Sequence, residues 1–536
     1  MTVPLRGPDH AGTWPWESPR RVLQRWAGLV VTAALCAIYV IVQPASVDFA
    51  SGDFRARLFR DGSLVWNNAW FAGHPLPGFG LIPPMLGAWL GVVPLGVVSA
   101  LLATWCLTLV VERCVELRPT LADPTVTVIL LALGCSLNLW SGRLTFGPSI
   151  AFGAGCVLAL QRRRNVVAVM CAIGCGLSSP VGAVSLAIVL AGCWCARAFG
   201  RWTVAIVASA ALVPISILGF TFPEGGWYPF TGRGILLLGA ALLIVGWLGR
   251  RERVILWTVL AYAAAAAFAF LVRTPLGGNI VRLGWLAAGP TAAIGLRRHR
   301  RLLVALVAAL SLVWGWSYAK MAFHSTDATA TERFYDPLAA YVKAVPGGVQ
   351  RVEVVPTETF RQADELALEI HLARGWDTQL DRKYNPQLYD QTMTDATFHQ
   401  WLDNNAIGLV ALPLGRLQHA AHRETTLIRN RPGYLQLAWT NANWEVFRVV
   451  HGQPLATNGA TVQRVEPESL TIDATLPGST TIKFHYSKLY RVTSGDGCLT
   501  EAPGGWIDLH VTRPGRITMR ISLTASTLLG SPPACK

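Results

Sequence analysis

Within one stretch of about forty residues, from 44 to 84, the chain gathers residue types that suit acid–base work at a phosphate. Asp53 lies in GDFRARLFRDG, where the spacing places Asp53, Arg57 and the Arg60/Asp61 pair on neighbouring turns of a short helix. Asp48 precedes it. WNNAW, FAGHPLPGFG and the pair Pro83–Pro84 follow, so Trp66, Asn67, Trp70 and His74 are close in sequence to the acids. A carboxylate fixed beside cations and aromatic rings suits a base that deprotonates a sugar hydroxyl, while the guanidinium groups receive a phosphate leaving group. The competing reading is an amphipathic helix with interfacial tryptophan anchors. His74, between Gly73 and Pro75, is either a ligand or acid, or a loop hydrogen-bonder.

The segments that must position this stretch are apolar. Of 536 residues, 52% are hydrophobic and only 14% charged, the balance of an integral membrane protein. The net charge of +15 would suit nucleic acid in a soluble chain, but here the arginines cluster in spacers between apolar runs, which excludes a nucleic-acid partner. Eleven candidate spans fall near 26–43, 85–111, 125–139, 147–161, 165–178, 183–196, 203–221, 234–249, 254–272, 283–296 and 302–320. Arginine-rich spacers occur at every second boundary. The positive-inside rule then puts residues 1–25 in the cytoplasm, the 44–84 loop outside and everything after 320 outside. Pro148 and Pro180 interrupt short runs, marking two segments as broken or re-entrant.

On the same outer side fall Arg143, Arg233, Arg273 and Arg282, of which Arg143 and Arg282 lie in Gly- or Asn-containing breaks beside helices. Together with Arg57 they are candidate ligands of a donor phosphate, since guanidinium binds phosphate bidentately. Boundary arginines also serve as plain interfacial anchors.

From about Ser325 the composition turns polar. Residues 321–451 alternate helical and strand patterns, an α/β region, and 452–536 carry short alternating runs separated by Gly and Pro, a small β-sandwich. Trp376 and Asp377 lie in RGWDTQLDRKYNPQLYD, a carbohydrate-type mix of rings and carboxylates or an ordinary polar loop. Nine cysteines sit in or beside apolar runs and read as packing residues. Cys498 and Cys535 stand alone in the polar third and are expected to form a disulfide.

The acidic residue and arginines just after the first span, followed by WNNAWFAGHPLPGF, resemble the GT-C type integral membrane glycosyltransferases. They look most like the bacterial groups related to YfhO and to 6-pyruvoyl-tetrahydropterin synthase-related membrane proteins, in which a Gly-Asp, a Trp and a Gly-x-Pro recur in this order. The resemblance implies a GT-C-like transmembrane domain over 26–320 and a catalytic carboxylate in the first outer loop, at Asp53 or, failing that, Asp48. It also implies a polyprenyl-phosphate-linked sugar as donor, a cell-envelope glycan, lipid or protein as acceptor, and the bacterial plasma membrane as the setting. Several GT-C enzymes carry Asp-Glu or Asp-x-Asp, whereas Phe54, Arg55 and Ala56 follow Asp53, so neither a divalent metal nor another cofactor is expected. The absence of a Gly-rich phosphate loop, a Gly-x-Ser-x-Gly elbow and a His-Glu-x-x-His argues against nucleotide, serine-hydrolase and zinc-protease chemistry. Two other classes stay open: a transporter or flippase of lipid-linked precursors, and a non-catalytic envelope assembly protein.

Overall fold

The computed structural model describes residues 19–117, 124–295, scattered positions within 302–316, 327–529 and 535. The eleventh expected span and the arginines at 118 and 297–301 lie largely or wholly outside the described residues.

The first half is helical. α1 (Pro19–Val42) leads into α2 (Phe49–Arg60), α3 (Ile82–Leu90) and α4 (Val92–Leu117). There follow α5 (Pro124–Trp140), α6 (Gly147–Gln161), α7 (Asn165–Ser178), α8 (Pro180–Ala196), α9 (Arg201–Thr221), α10 (Gly232–Leu248), α11 (Arg253–Leu271) and α12 (Val281–Gly295). Among the described residues three helices, within α4, α9 and α11, are long and apolar enough to cross a membrane, and six shorter apolar helices accompany them. The expected run 85–111 divides at Gly91, whose φ of 84° ends α3. Pro148 and Pro180 do not interrupt helices. They stand in the first two positions of α6 and α8, where a missing N–H breaks no helical hydrogen bond. Outer faces carry exposed Trp202, Phe220, Leu243 and Leu271, apolar surface of the kind a bilayer covers.

The second half holds two sheet systems. A five-stranded mixed sheet runs in the order β4-β3-β5-β7-β6, from β3 (Arg351–Val354), β4 (His371–Leu372), β5 (Ile407–Pro413), β6 (Leu435–Thr440) and β7 (Trp444–Val449). Its helices are α13 (Asp336–Ala344), α14 (Gln362–Glu365), α15 (Thr378–Tyr384), α16 (Asp395–Asn404) and α17 (His422–Arg429). Beyond it come β8 (Ala460–Glu466), β9 (Ser469–Ala474), β10 (Gly478–His485), β11 (Tyr490–Ser494), β12 (Gly497–Ala502), β13 (Trp506–Val511) and β14 (Gly515–Ile521), in which a three-stranded sheet, β10-β13-β12, packs on a four-stranded one, β11-β14-β9-β8. Alternating residues of both, such as Ile472, Phe484, Leu509 and Met519, share one core, which makes a sandwich. Cys498 and Cys535 are joined as expected, with Cα atoms 5.6 Å apart.

The 44–84 stretch ties these halves together. α2 buries Phe54 and Leu58, at i, i+4 spacing on one face, against the α/β core. A two-residue hairpin follows, β1 (Trp66–Asn67) paired with β2 (His74–Pro75), its turn closed by left-handed Phe71, Ala72 and Gly73. The Glu468 carboxylate accepts from the Leu64 and Val65 amides (2.9 and 2.8 Å), and the His485 amide donates to the Ala72 carbonyl (2.7 Å). The Trp70 indole donates to the Ala363 carbonyl (2.8 Å). The stretch is therefore a plug seated in the seam between the sheet systems.

Candidate functional site

Asp48 occupies the N-cap position of α2 but caps nothing with its side chain, although aspartate there ordinarily accepts from the first-turn amides. Its carboxylate instead accepts from Arg143 Nε at 2.8 Å, a pair in which the arginine is 8% and the aspartate 20% exposed. Arg143 reaches it from the α5–α6 connection, held close because Gly142 packs on Ser46. A Cβ at Gly142 would stand 2.0 Å from Ser46 Oγ, and its φ is 73°.

Arg282, near the start of α12, belongs to the same cluster. Its guanidinium lies 5.2 Å from the centre of the Phe146 ring, while that of Arg143 lies 5.8 Å from the Trp285 ring. Phe146 and Trp285 each sit three residues beyond an arginine, so the two cation–ring contacts interlock the α5–α6 connection with α12. Arg282 also donates to the Asn279 side chain (2.8 Å). The two arginines singled out in the sequence thus meet through the Phe146 and Trp285 rings, with Arg143 on the Asp48 carboxylate.

Trp376 approaches from the other side, its indole donating to the Val47 carbonyl (2.7 Å), one residue from Asp48. It is half-buried. Next to it Asp377 is fully buried and accepts from Arg55 at 2.8 Å; Arg55 in turn covers the Phe79 ring at 3.9 Å. Burial pushes the Asp377 carboxyl up to about 6, against the pull of Arg55. Glu224, from the loop between α9 and α10, faces the same group of charges. Burial raises its carboxyl well above the usual range, Oε1 has no hydrogen-bond partner, and Lys383 donates to its carbonyl (2.7 Å).

Asp53 lies elsewhere. It is one-third exposed and pairs with Arg57 at 3.3 Å, on the face of α2 turned toward α14. Arg57 also binds Asp364 through its side chain and carbonyl, and Arg361 joins Asp364 (3.2 Å) and Glu365. Arg57, expected to hold phosphate, is occupied by carboxylates. Burial pushes the Asp364 carboxyl up to about 7.

Four expected sugar contacts need correction. Trp66, Asn67, Trp70 and His74 are 5, 0, 0 and 0% exposed, so none offers a face to a sugar. Large rings at a junction of two domains are drawn into its core, and their polar atoms are satisfied internally. Trp66 Nε1 donates to Asn68 Oδ1 (2.8 Å), the Asn67 amide meets His74 Nε2 (3.2 Å), and burial holds the His74 imidazole down at about 3. Asp377 likewise serves Arg55, leaving Trp376 as the expected sugar contact beside Asp48. Arg273 stacks over Trp227 at 5.0 Å, a ring that Arg382 also approaches at 5.0 Å, and Arg233 is exposed at the start of α10.

Sequence reasoning missed Arg55, Asp364, Glu224 and the Glu468 clamp. The Arg55–Asp377 pair joins residues 322 apart, beyond the reach of any local pattern, although RGWDTQLDRKYNPQLYD stands out for its density of aromatic, acidic and Arg residues.

The chain matches no protein-family model and no curated protein. Among solved structures it is similar to ArnT from Cupriavidus metallidurans bound to undecaprenyl phosphate, at a TM-score of 0.45 and 13% identity, covering 82% of this chain and 100% of that one. It is also similar to the Archaeoglobus fulgidus oligosaccharyltransferase in the apo form, at a TM-score of 0.44 and 10% identity, covering 74% and 70%. At that distance neither the activities nor the ligands of those proteins transfer to this chain.

Proposed function

We propose that the chain is a multi-spanning glycosyltransferase of the bacterial plasma membrane, with its N-terminus in the cytoplasm and its sheet domains outside. It moves a sugar from a polyprenyl-phosphate donor to an acceptor hydroxyl of a cell-envelope glycan, lipid or protein. The observation that carries this reading is the Asp48–Arg143 pair with Arg282 alongside, a carboxylate and two guanidinium groups at the junction of helices and exported domains.

Asp48 takes the place first given to Asp53. As the acceptor oxygen attacks the anomeric carbon, Asp48 takes its proton, and the bond from that carbon to the phosphate oxygen breaks. The electron pair leaves with the polyprenyl phosphate, whose charge Arg143 and Arg282 neutralise. Trp376 offers the sugar a ring. With guanidinium beside the carboxylate, the reaction needs no divalent metal.

Purified protein in liposomes, given a polyprenyl-phosphate sugar and an envelope-glycan acceptor, is expected to release polyprenyl phosphate at the same rate with and without EDTA. Release that ceases on chelation and returns with a divalent cation would contradict the metal-independent mechanism, and no release from a panel of such donors would contradict the donor class.

A further inference from the structure

The helical bundle holds a half-open cavity of about 830 Å³, within the range of a ligand site and far larger than a packing defect. It runs along α6, whose 15 residues (Gly147–Gln161) span about 22 Å at the helical rise, much of the ~30 Å depth of a bilayer core, with Phe146 and Arg163 lining it at the two ends. Its walls, from α4, α6, α8 and α12, are apolar for most of that length, with Val157, Val189 and Leu286 among them.

The end remote from the 44–84 stretch is different. Arg113, Arg163, Arg197 and Arg253, from four separate helix ends, all line the cavity there, with Glu252 the acidic residue among them. Arg113 also pairs with Glu116 (3.0 Å). Two buried polar atoms near that end lack any protein partner: Thr127 Oγ1, on a residue 1% exposed, and Gln161 Oε1, whose amide nitrogen donates to the Val110 carbonyl (3.4 Å). Both residues line the cavity. Buried polar groups in folded proteins are nearly always satisfied, so two orphans beside four cations mark a place for a polar head.

We propose that this cavity binds an anionic glycerophospholipid from the leaflet at that end of the bundle. Its phosphate lies among Arg113, Arg163, Arg197 and Arg253, within reach of Thr127 and Gln161, and its acyl chains run along α6 toward Phe146. Spacer arginines that merely orient the chain need not share a cavity; Arg164 and Arg250 are exposed at the same end and do not line it. A sugar-carrying polyprenyl phosphate does not fit the head-group position, because the Asp48–Arg143 cluster lies at the opposite end. The lipid site stands whether or not the chain transfers sugar.

The test uses full-length protein in detergent. Mass spectrometry of extracted lipids and thermal unfolding with added phosphatidylglycerol or phosphatidylcholine are compared across three variants. Arg163→Gln/Arg197→Gln removes head-group charge, Val157→Trp fills the apolar part, and Arg164→Gln/Arg250→Gln removes equal charge outside the cavity. Wild type and the control are expected to retain anionic phospholipid and to gain thermal stability from phosphatidylglycerol alone. The other two should bind it at least about tenfold more weakly. If the arginine variant fails to fold, Val157→Trp decides. Equal weakening in the control, equal protection by phosphatidylcholine, or retention of a polyprenyl phosphate in place of phospholipid would each overturn the proposal.

Discussion

Asp48 and Asp53 stand five residues apart on one segment and end in opposite surroundings. Asp48, at the cap of α2, faces the helical bundle and meets Arg143 from the α5–α6 connection. Asp53, a turn and a half along, faces the α/β sheet system, where Arg57 is already held by Asp364. Both are aspartates beside an arginine. What separates them is the partner's other company: Arg143 shares its cluster with Arg282, Trp285 and Trp376-capped Val47, whereas Arg57 sits among three carboxylates, those of Asp53, Asp364 and Asp364's neighbour Glu365. An anion is welcome at the first place and repelled from the second. On the proposed mechanism the Asp48 end of α2 carries the chemistry, while the Asp53 face packs on the α/β sheet domain.

Substitutions that separate the two faces should therefore differ in kind. Arg143→Ala removes a donor aimed at the leaving phosphate and should lower the transfer rate about 10²–10³-fold, with a fall in thermal midpoint smaller than that of Asp377→Ala because Asp48 keeps 20% exposure. Arg57→Ala should do the reverse, and a loss of transfer as large as that of Arg143→Ala would merge the two sites. Asp377→Ala leaves Arg55 buried without its carboxylate and should destabilise by about 3–5 kcal/mol, read as earlier unfolding and faster proteolysis within 61–81. Trp376→Ala takes away the proposed sugar platform and should cost about 1–2 kcal/mol of transition-state binding, roughly tenfold in kcat/KM. An unchanged value would remove Trp376 from the site.

The smallest effect is one of pH. Asp364 and Asp377 titrate near 7 and 6 in the native state, both raised by burial above the value near 4 of an unfolded chain. The native state holds these protons more tightly, so their contribution is fully present below about pH 4 and is lost as pH climbs through 6 and 7. Thermal stability should rise when the pH falls from 7.5 to 5.5, by up to about 1.4 kcal/mol per unit for each group. Asp364→Asn and Asp377→Asn should each flatten that slope. A slope of opposite sign that both variants retain would show that other groups control it.

Much of this arrangement was legible in the chain. The spacing of charged residues gave the short helix α2 but not its buried face, alternation gave the sandwich strands, and two isolated cysteines gave the Cys498–Cys535 bond. Arg143 and Arg282 were marked as phosphate candidates because each lies in a Gly- or Asn-containing break beside a helix, but their meeting through Phe146 and Trp285 had no local signal. The choice between Asp48 and Asp53 was not legible. It depends on α2 starting at Phe49, which turns its cap residue toward a loop 95 positions away, and helix starts shift by a residue or two in any local reading. The tryptophans misled for a related reason: aromatic rings beside glycines suit a sugar surface and a domain seam equally, and Gly375, whose Cβ would meet Trp70 at 2.6 Å, shows that this seam is packed too closely for a sugar.

The central claim is that Asp48 and not Asp53 is the base. Its most direct test is the rate of sugar transfer from a polyprenyl-phosphate donor by Asp48→Asn and Asp53→Asn, each shown by thermal unfolding to be folded. Asp48→Asn should lose about 10²–10⁴-fold. Asp53→Asn should stay within about fivefold of wild type, the scale of a partly exposed ion pair. A folded Asp48→Asn that transfers at the wild-type rate while Asp53→Asn is silent would contradict the account and return the chemistry to the other face of α2.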